Sequence, residues 1–351
     1  MTHPRIAEVA LLFFSQLGER GIQYAVLRKT ERIPDAIGND IDVLARASEI
    51  PLIAQTVHYC AEQLGFRVYF RKDIPGFYPI LFQFFEGQLI FLRLDFAHPV
   101  RNVERLLRFR EQNEKGIYHL PEGIFEKKPI RNVRRFLTFP LRFLIPPGKF
   151  IVVIGPDGVG KSTTALYLMQ LLEAFHMPVA HLHLGFRPAI LPRKQRLLFR
   201  EKTRNMIEKD QPSAVPGLAR FLYHSLDHAL GYWFRVRPLL VKGRSVIGER
   251  YYYNYLVDPR PKKELGFSLW LPRLFFVLCI PKPDALVLLS HDPRVIYERR
   301  QEHDIREIGR QLDAYRSEGS RVRRFVEVRT DRPAWDVACE VFDRIFGFSR
   351  S

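Results

Sequence analysis

Ile6, Val9, Phe13 and Leu17 recur at helical spacing and Gly18 and Gly21 close the run, which predicts an amphipathic helix at the start of the chain. Short apolar runs at 24–27 and 41–45 read as strands, 52–64 as a second helix, and 66–70, 80–85 and 89–96 as further strands. The last two join near Gly87. Past residue 148 the pattern changes. A fully apolar strand at 150–154 runs into a glycine-rich turn, a helix to about Phe175 and a strand at 179–184. Helical stretches follow, with strands near 245–248 and at 285–290. Strands that alternate with helices pair in parallel, so this half reads as an α/β sheet with flanking helices, and the first half as a smaller α+β unit.

The division falls at Ile145-Pro146-Pro147-Gly148, which no helix can cross. Upstream, 127–149 carries seven basic and no acidic residues, interleaved with Phe136, Phe139 and Phe143. The expected organisation is therefore a domain at 1–126, a basic linker at 127–148 and a second domain at 149–351. The linker is open to four readings: a solvated tether, a nucleic-acid arm, packing between domains, or peripheral contact with an anionic membrane surface. With 55 Lys+Arg against 38 Asp+Glu the chain carries +17, most of it in the second half, which predicts an anionic partner without naming it. Cys60, Cys279 and Cys339 form no CxxC pair, which excludes a disulfide framework or structural zinc site and suits a reducing, cytoplasmic setting. The apolar stretch 269–290 is broken by Pro272, Arg273, Pro281, Lys282, Pro283 and Asp284, so it reads as core rather than a membrane span.

The chemistry concentrates at Gly155-Pro156-Asp157-Gly158-Val159-Gly160-Lys161-Ser162-Thr163, a GxxxxGK[ST] run lying after a buried strand and before a helix. Gly155, Gly158 and Gly160 let backbone N–H groups wrap a phosphate at a helix N-terminus. Lys161 reaches the β- and γ-phosphates of ATP, and Ser162, followed by Thr163, offers a hydroxyl to Mg2+. GPDGVGKST resembles the phosphate loop of thymidylate kinases. Leu184-Gly185-Phe186-Arg187-Pro188, Glu249-Arg250-Tyr251, and Pro283-Asp284 with Asp292-Pro293 fall in the family's order. The resemblance implies a P-loop fold and kinase activity, with Asp157 on the acceptor hydroxyl or a metal-bound water, and Arg250, assisted by Arg187, on the acceptor anion. It further implies that Glu249 orients a metal-bound water and that Arg299, or one of Arg294, Arg300 and Arg306, closes from a lid at 294–307. Tyr251-Tyr252-Tyr253-Asn254-Tyr255 stands where thymidylate kinases carry a Ser-rich stretch, and the Glu of their Arg-Glu-Pro segment is absent. The acceptor is therefore expected to be a nucleotide, sugar or glycan-type molecule rather than thymidylate itself. His181 and His183 share one strand face as core or site-edge histidines.

In the first domain Asp40 and Asp42 share one strand face, and Asp95 stands in another apolar strand. The set resembles the metal triad of the nucleotidyltransferase fold (DNA polymerase β-like), although Arg28-Lys29 replaces that family's Gly-Ser pair. Three functions follow: a phosphotransferase at the phosphate loop, nucleotidyl transfer at Asp40, Asp42 and Asp95 with a regulatory P-loop domain, or a P-loop nucleic-acid-binding module. The first is favoured and nucleic acid is not; oligomerisation is left open.

Overall fold

The computed structural model describes residues 3–27, 33, 40–70, 77–96, 102–121, 139–184, 214–257 and 270–347. Two compact units are present, Met1–Arg131 with Phe346–Ser351, and Asn132–Ile345.

In the first unit, α1 (Pro4–Glu19) starts with a proline whose missing N–H costs nothing there, and buries Ile6, Val9, Phe13 and Leu17. After β1 (Tyr24–Val26) and β2 (Asp40–Ala45), α2 (Ile50–Leu64) stops at Gly65, whose φ of 71° is left-handed. Then come β3 (Arg67–Phe70), β4 (Pro79–Phe85), β5 (Gln88–Phe96), α3 (Val103–Leu107), β6 (Glu111–Gln112) and β7 (Tyr118–His119). They form a mixed sheet in the order β3-β4-β5-β2-β1-β7-β6. Along β5 the buried positions alternate, sending Ile90, Leu92 and Leu94 into the core and Arg93 and Asp95 to the other face.

The second unit opens with α4 (Phe139–Leu144), then β8 (Phe150–Ile154), α5 (Lys161–Ala174) and β9 (Val179–His183). A long helical stretch follows: α6 (Ala214–Gly231), a wide π-type turn (Tyr232–Val236) and α7 (Arg237–Val241). Next are β10 (Ser245–Glu249), α8 (Tyr253–Val257), α9 (Trp270–Cys279) and β11 (Ala285–Ser290). The chain continues through α10 (Pro293–Arg299), α11 (Ile305–Gly319), β12 (Phe325–Arg329) and α12 (Ala334–Phe346). The five strands pair only in parallel, in the order β12-β11-β8-β10-β9. Central β8, β10 and β11 are buried at every position, while edge strands β9 and β12 are not. Parallel strands covered on both faces read as unbroken apolar runs, which is why residues 150–154 and 285–290 are recognisable from sequence alone. Helix α12 seals one face, Phe342 lying 4.7 Å from Phe175 at the end of α5.

This is the α/β architecture expected of a P-loop nucleotide-binding domain, beside a smaller mixed α/β unit. The stretch 269–290 is not uniformly core: Leu274, Val277 and Leu278 of α9 are exposed. Cys60 and Cys339 are buried thiols and Cys279 is exposed, and none forms a disulfide.

Candidate active site

In open parallel sheets, ligands bind beyond the carboxyl ends of the strands, and the phosphate loop leaves β8 at that end. Gly155, Gly158 and Gly160 have φ of 143°, 91° and 100°, conformations that L side chains rarely adopt. A Cβ at Gly155 would come within 2.6 Å of the Leu289 carbonyl, and one at Gly158 within 2.9 Å of Arg300 Cβ. The loop is thus clamped between β11 and the end of α10. Gly158→Ala is expected to lower stability by about 1–2 kcal/mol from the left-handed backbone alone. It should also weaken ATP binding, and thermal melts with and without nucleotide would check both effects.

Lys161 opens α5 with its ammonium buried beneath the loop. It donates to the carbonyls of Gly155 (2.9 Å) and Pro156 (2.8 Å) and to Asp157 Oδ1 (3.1 Å). Burial drives this ammonium below its usual range, opposed by the Asp157 charge. Burial alone would raise the Asp157 carboxyl, yet the Lys161 and Arg250 cations beside it hold it below its ordinary value. Arg250 reaches Asp157 from the end of β10 in a hydrogen-bonded ion pair. It sits at φ 57°, an uncommon left-handed backbone for a long side chain, and strained residues of this kind cluster at functional sites.

Glu249, the residue before it, is a buried carboxylate. It accepts from Ser162 Oγ (2.8 Å) and from His181 Nε2 (2.6 Å), with His183 Nδ1 at 4.0 Å. Burial would raise its carboxyl, but the hydrogen bonds from His181 and Ser162 bring it below its usual value. The register explains the grouping: Glu249 pairs with Val153 on one side and His183 on the other, so β9 lays both histidines beside it. This chain from Ser162 through Glu249 to His181 is not legible from sequence, because spacing along β9 says nothing of which strand lies next to it. His181 and His183 are site-edge residues.

Other expected residues divide. Ser162 and Thr163 are exposed at the first turn of α5. Arg299 ends α10 exposed to solvent, whereas the arginine abutting the loop is its neighbour Arg300, ion-paired with Glu302. The stretch 294–307, expected to form one lid helix, is divided between α10 and α11, because Asp304 caps α11 by accepting from Glu307 N–H (2.7 Å). Asp304-Ile305-Arg306-Glu307 carries the capping spacing that would have marked this break. Arg187 lies outside the described residues, as do Arg28 and Lys29 and most of the basic linker. The tyrosines after Arg250 pack into the core: Tyr251, Tyr252 and Tyr253 are buried, and the Tyr251 hydroxyl donates to Pro281 O at 2.9 Å.

In the first unit, Asp42 and Asp95 are register partners on parallel β2 and β5, while Asp40 is ion-paired with Arg93. Among the described residues no group of three or more His, Cys, Asp or Glu side chains is arranged to hold a metal ion. Likewise, among them no helix is long and apolar enough to cross a membrane.

A glycine cradle at a helix start, a buried lysine beneath it and an arginine-carboxylate pair alongside define a P-loop phosphotransferase that binds ATP and neutralises phosphate charge. The thymidylate kinase family model matches residues 153–332, about half of the chain, and the chain belongs to this family. It is 28% identical over 149 residues to a probable thymidylate kinase of Archaeoglobus fulgidus, covering 42% of this chain and 67% of that one. It is 27% identical over 216 residues to a thymidylate kinase of Leifsonia xyli, covering 57% of this chain and 96% of that one. ATP and Mg2+ are the family's cofactors, and the donor set fits. A hydroxyl (Ser162) and a carboxylate (Glu249) 2.8 Å apart are the oxygen ligands that a hard cation takes directly or through water. When bound, Mg2+ neutralises charge on the phosphate oxygens.

Proposed function

We propose that the second unit moves the γ-phosphate of ATP to an oxygen of a small phosphorylated acceptor, releasing ADP, with the acceptor oxygen giving up its proton. Nucleoside monophosphates are the first acceptor class, ahead of phosphosugars and glycan ends. The observation that supports this reading is the Arg250–Asp157 pair beside the phosphate loop. A guanidinium can exchange its carboxylate for an acceptor phosphate with the same fork geometry, freeing Asp157 for a hydroxyl. Lys161 holds the transferring end, and Glu249 with Ser162 would position the metal. Arg187 and a lid arginine, Arg299 or Arg300, would complete the charge around the phosphates. Because the tyrosines after Arg250 point into the core, the base or sugar has to be held by other groups, and thymidylate is the weaker expectation among the nucleotides.

A second reading has one observation in its favour. The side-by-side Asp42 and Asp95 on parallel central strands suit a nucleotidyltransferase-like domain at 1–126, joined by the linker at 127–148 to the kinase domain at 149–351. Labelled ATP separates the two. γ-Label appearing on a nucleoside monophosphate, lost in Lys161→Ala and kept in Asp42→Ala, supports the kinase. α-Label transfer with pyrophosphate release, showing the opposite dependence, supports nucleotidyl transfer and overturns the first assignment.

A further inference from the structure

Away from the phosphate loop, α4 and the turn between α6 and α7 build one apolar knob. Arg237 ties them together: its guanidinium donates to the carbonyls of Phe143 and Leu144 (2.9 Å for the latter). The same guanidinium lies 5.5 Å from the Phe143 ring centroid and 5.6 Å from that of Trp233. The two rings stack at 6.1 Å. Below them, Gly148 N–H donates to Leu240 O at 3.1 Å. A Cβ at Gly148 would lie 2.0 Å from the Arg244 carbonyl, so no other residue fits so close. The knob is therefore held in shape by the fold.

What it presents to water is costly. Leu144, Ile145 and Phe234 are 74%, 73% and 67% exposed, with Trp233 at 44% beside them. Clustered large apolar side chains of this kind mark an interaction surface. Its charge is of one sign: the segments 139–149 and 231–244 hold six Arg and Lys and no Asp or Glu. The sequence immediately before, 127–138, adds five more basic residues and no acid.

We propose that this knob is a docking surface for an anionic lipid bilayer. Leu144, Ile145 and Phe234 would enter the headgroup–acyl boundary, Trp233 would sit at headgroup depth, and Arg235 with its neighbours would meet lipid phosphates. Charge complementarity selects this occupant. A second copy docked on the same patch would set cations against cations across a two-fold axis. A bilayer carrying acidic lipids offers both an apolar layer and a negative surface. The surface proposed here consists of 139–149, the described part of the stretch expected to touch an anionic membrane, together with 231–237.

The test uses the full chain with vesicles of phosphatidylcholine alone or mixed with a minority of phosphatidylglycerol. Flotation should recover about tenfold or more protein with the mixed vesicles at low salt, a ratio that falls as salt rises. Trp emission should shift to the blue on those vesicles and lose the shift in Trp233→Phe. The pair Leu144→Glu with Phe234→Glu, both solvent-facing, should abolish recovery while leaving the melting temperature and ATP binding unchanged. Equal recovery on neutral vesicles, or undiminished recovery of the double variant, would overturn the proposal. So would a dimer in sedimentation that the double variant dissolves, which would make this face a contact between copies. Binding of single-stranded RNA with the same dependence on Leu144 and Phe234 would also overturn it.

Discussion

Lys161→Ala is expected to reduce kcat/KM for phosphoryl transfer by at least on the order of 10²–10³-fold, as removal of a single pre-aimed charge-stabilising donor does. The reason is geometric as well as electrostatic. The ammonium is buried under the loop, where a low dielectric strengthens its pull on phosphate oxygens, and it is fixed by two carbonyls and a carboxylate. Truncation removes the charge and takes this donor from the Gly155 and Pro156 carbonyls, while Asp157 keeps only Arg250 of its two cations. Lys161→Arg should fail almost as badly, because a planar fork cannot occupy the point from which one Nζ serves three acceptors. Single-turnover assays with γ-labelled ATP read the chemical step directly. Retention of more than a tenth of wild-type activity by Lys161→Ala would remove the loop from the mechanism.

Arg250→Ala should act on the other substrate. ATP affinity is expected to hold within a few-fold, while kcat/KM for the acceptor falls on the order of 10²-fold. Arg250→Lys should recover part of this, since it keeps the charge and loses the fork. A pH readout follows from the same pair. Lys161 and Arg250 together hold the Asp157 carboxyl below its ordinary value, so deleting one cation lets it rise. Activity that needs ionised Asp157 is present above that carboxyl's pKa and disappears as pH falls through it. The acid limb of the rate profile should therefore move to higher pH in Arg250→Ala. An unmoved acid limb together with an unchanged acceptor KM would show that Arg250 serves only the fold.

The parts legible from sequence are those whose signal is local. Strands β8 and β11 announce themselves as continuous apolar runs bounded by proline and polar residues, and the phosphate loop as nine consecutive residues between a strand and a helix. Strand β12 is not recognisable in the same way. Phe325–Arg329 places Glu327 between Val326 and Val328 and ends on Arg329, as an edge strand does, and arginines precede it. Strands β6 and β7 have two residues each, too few for any period to appear. Within the site, Lys161 can be placed from the spacing of the glycine loop, and Asp157 and Arg250 from the resemblance to thymidylate kinases. The grouping of Ser162, Glu249 and His181 cannot, because it depends on β9 lying beside β10, and that Arg300 rather than Arg299 abuts the loop follows only from where α10 ends.

With Arg250 holding the acceptor as proposed, its left-handed backbone sets heat tolerance and catalysis against each other at one position. Glycine there would relax the backbone and delete the guanidinium together. A laboratory search for variants of this chain that survive higher temperature, run without selection for turnover, would therefore be drawn to residue 250 and would collect robust proteins unable to hold their acceptor.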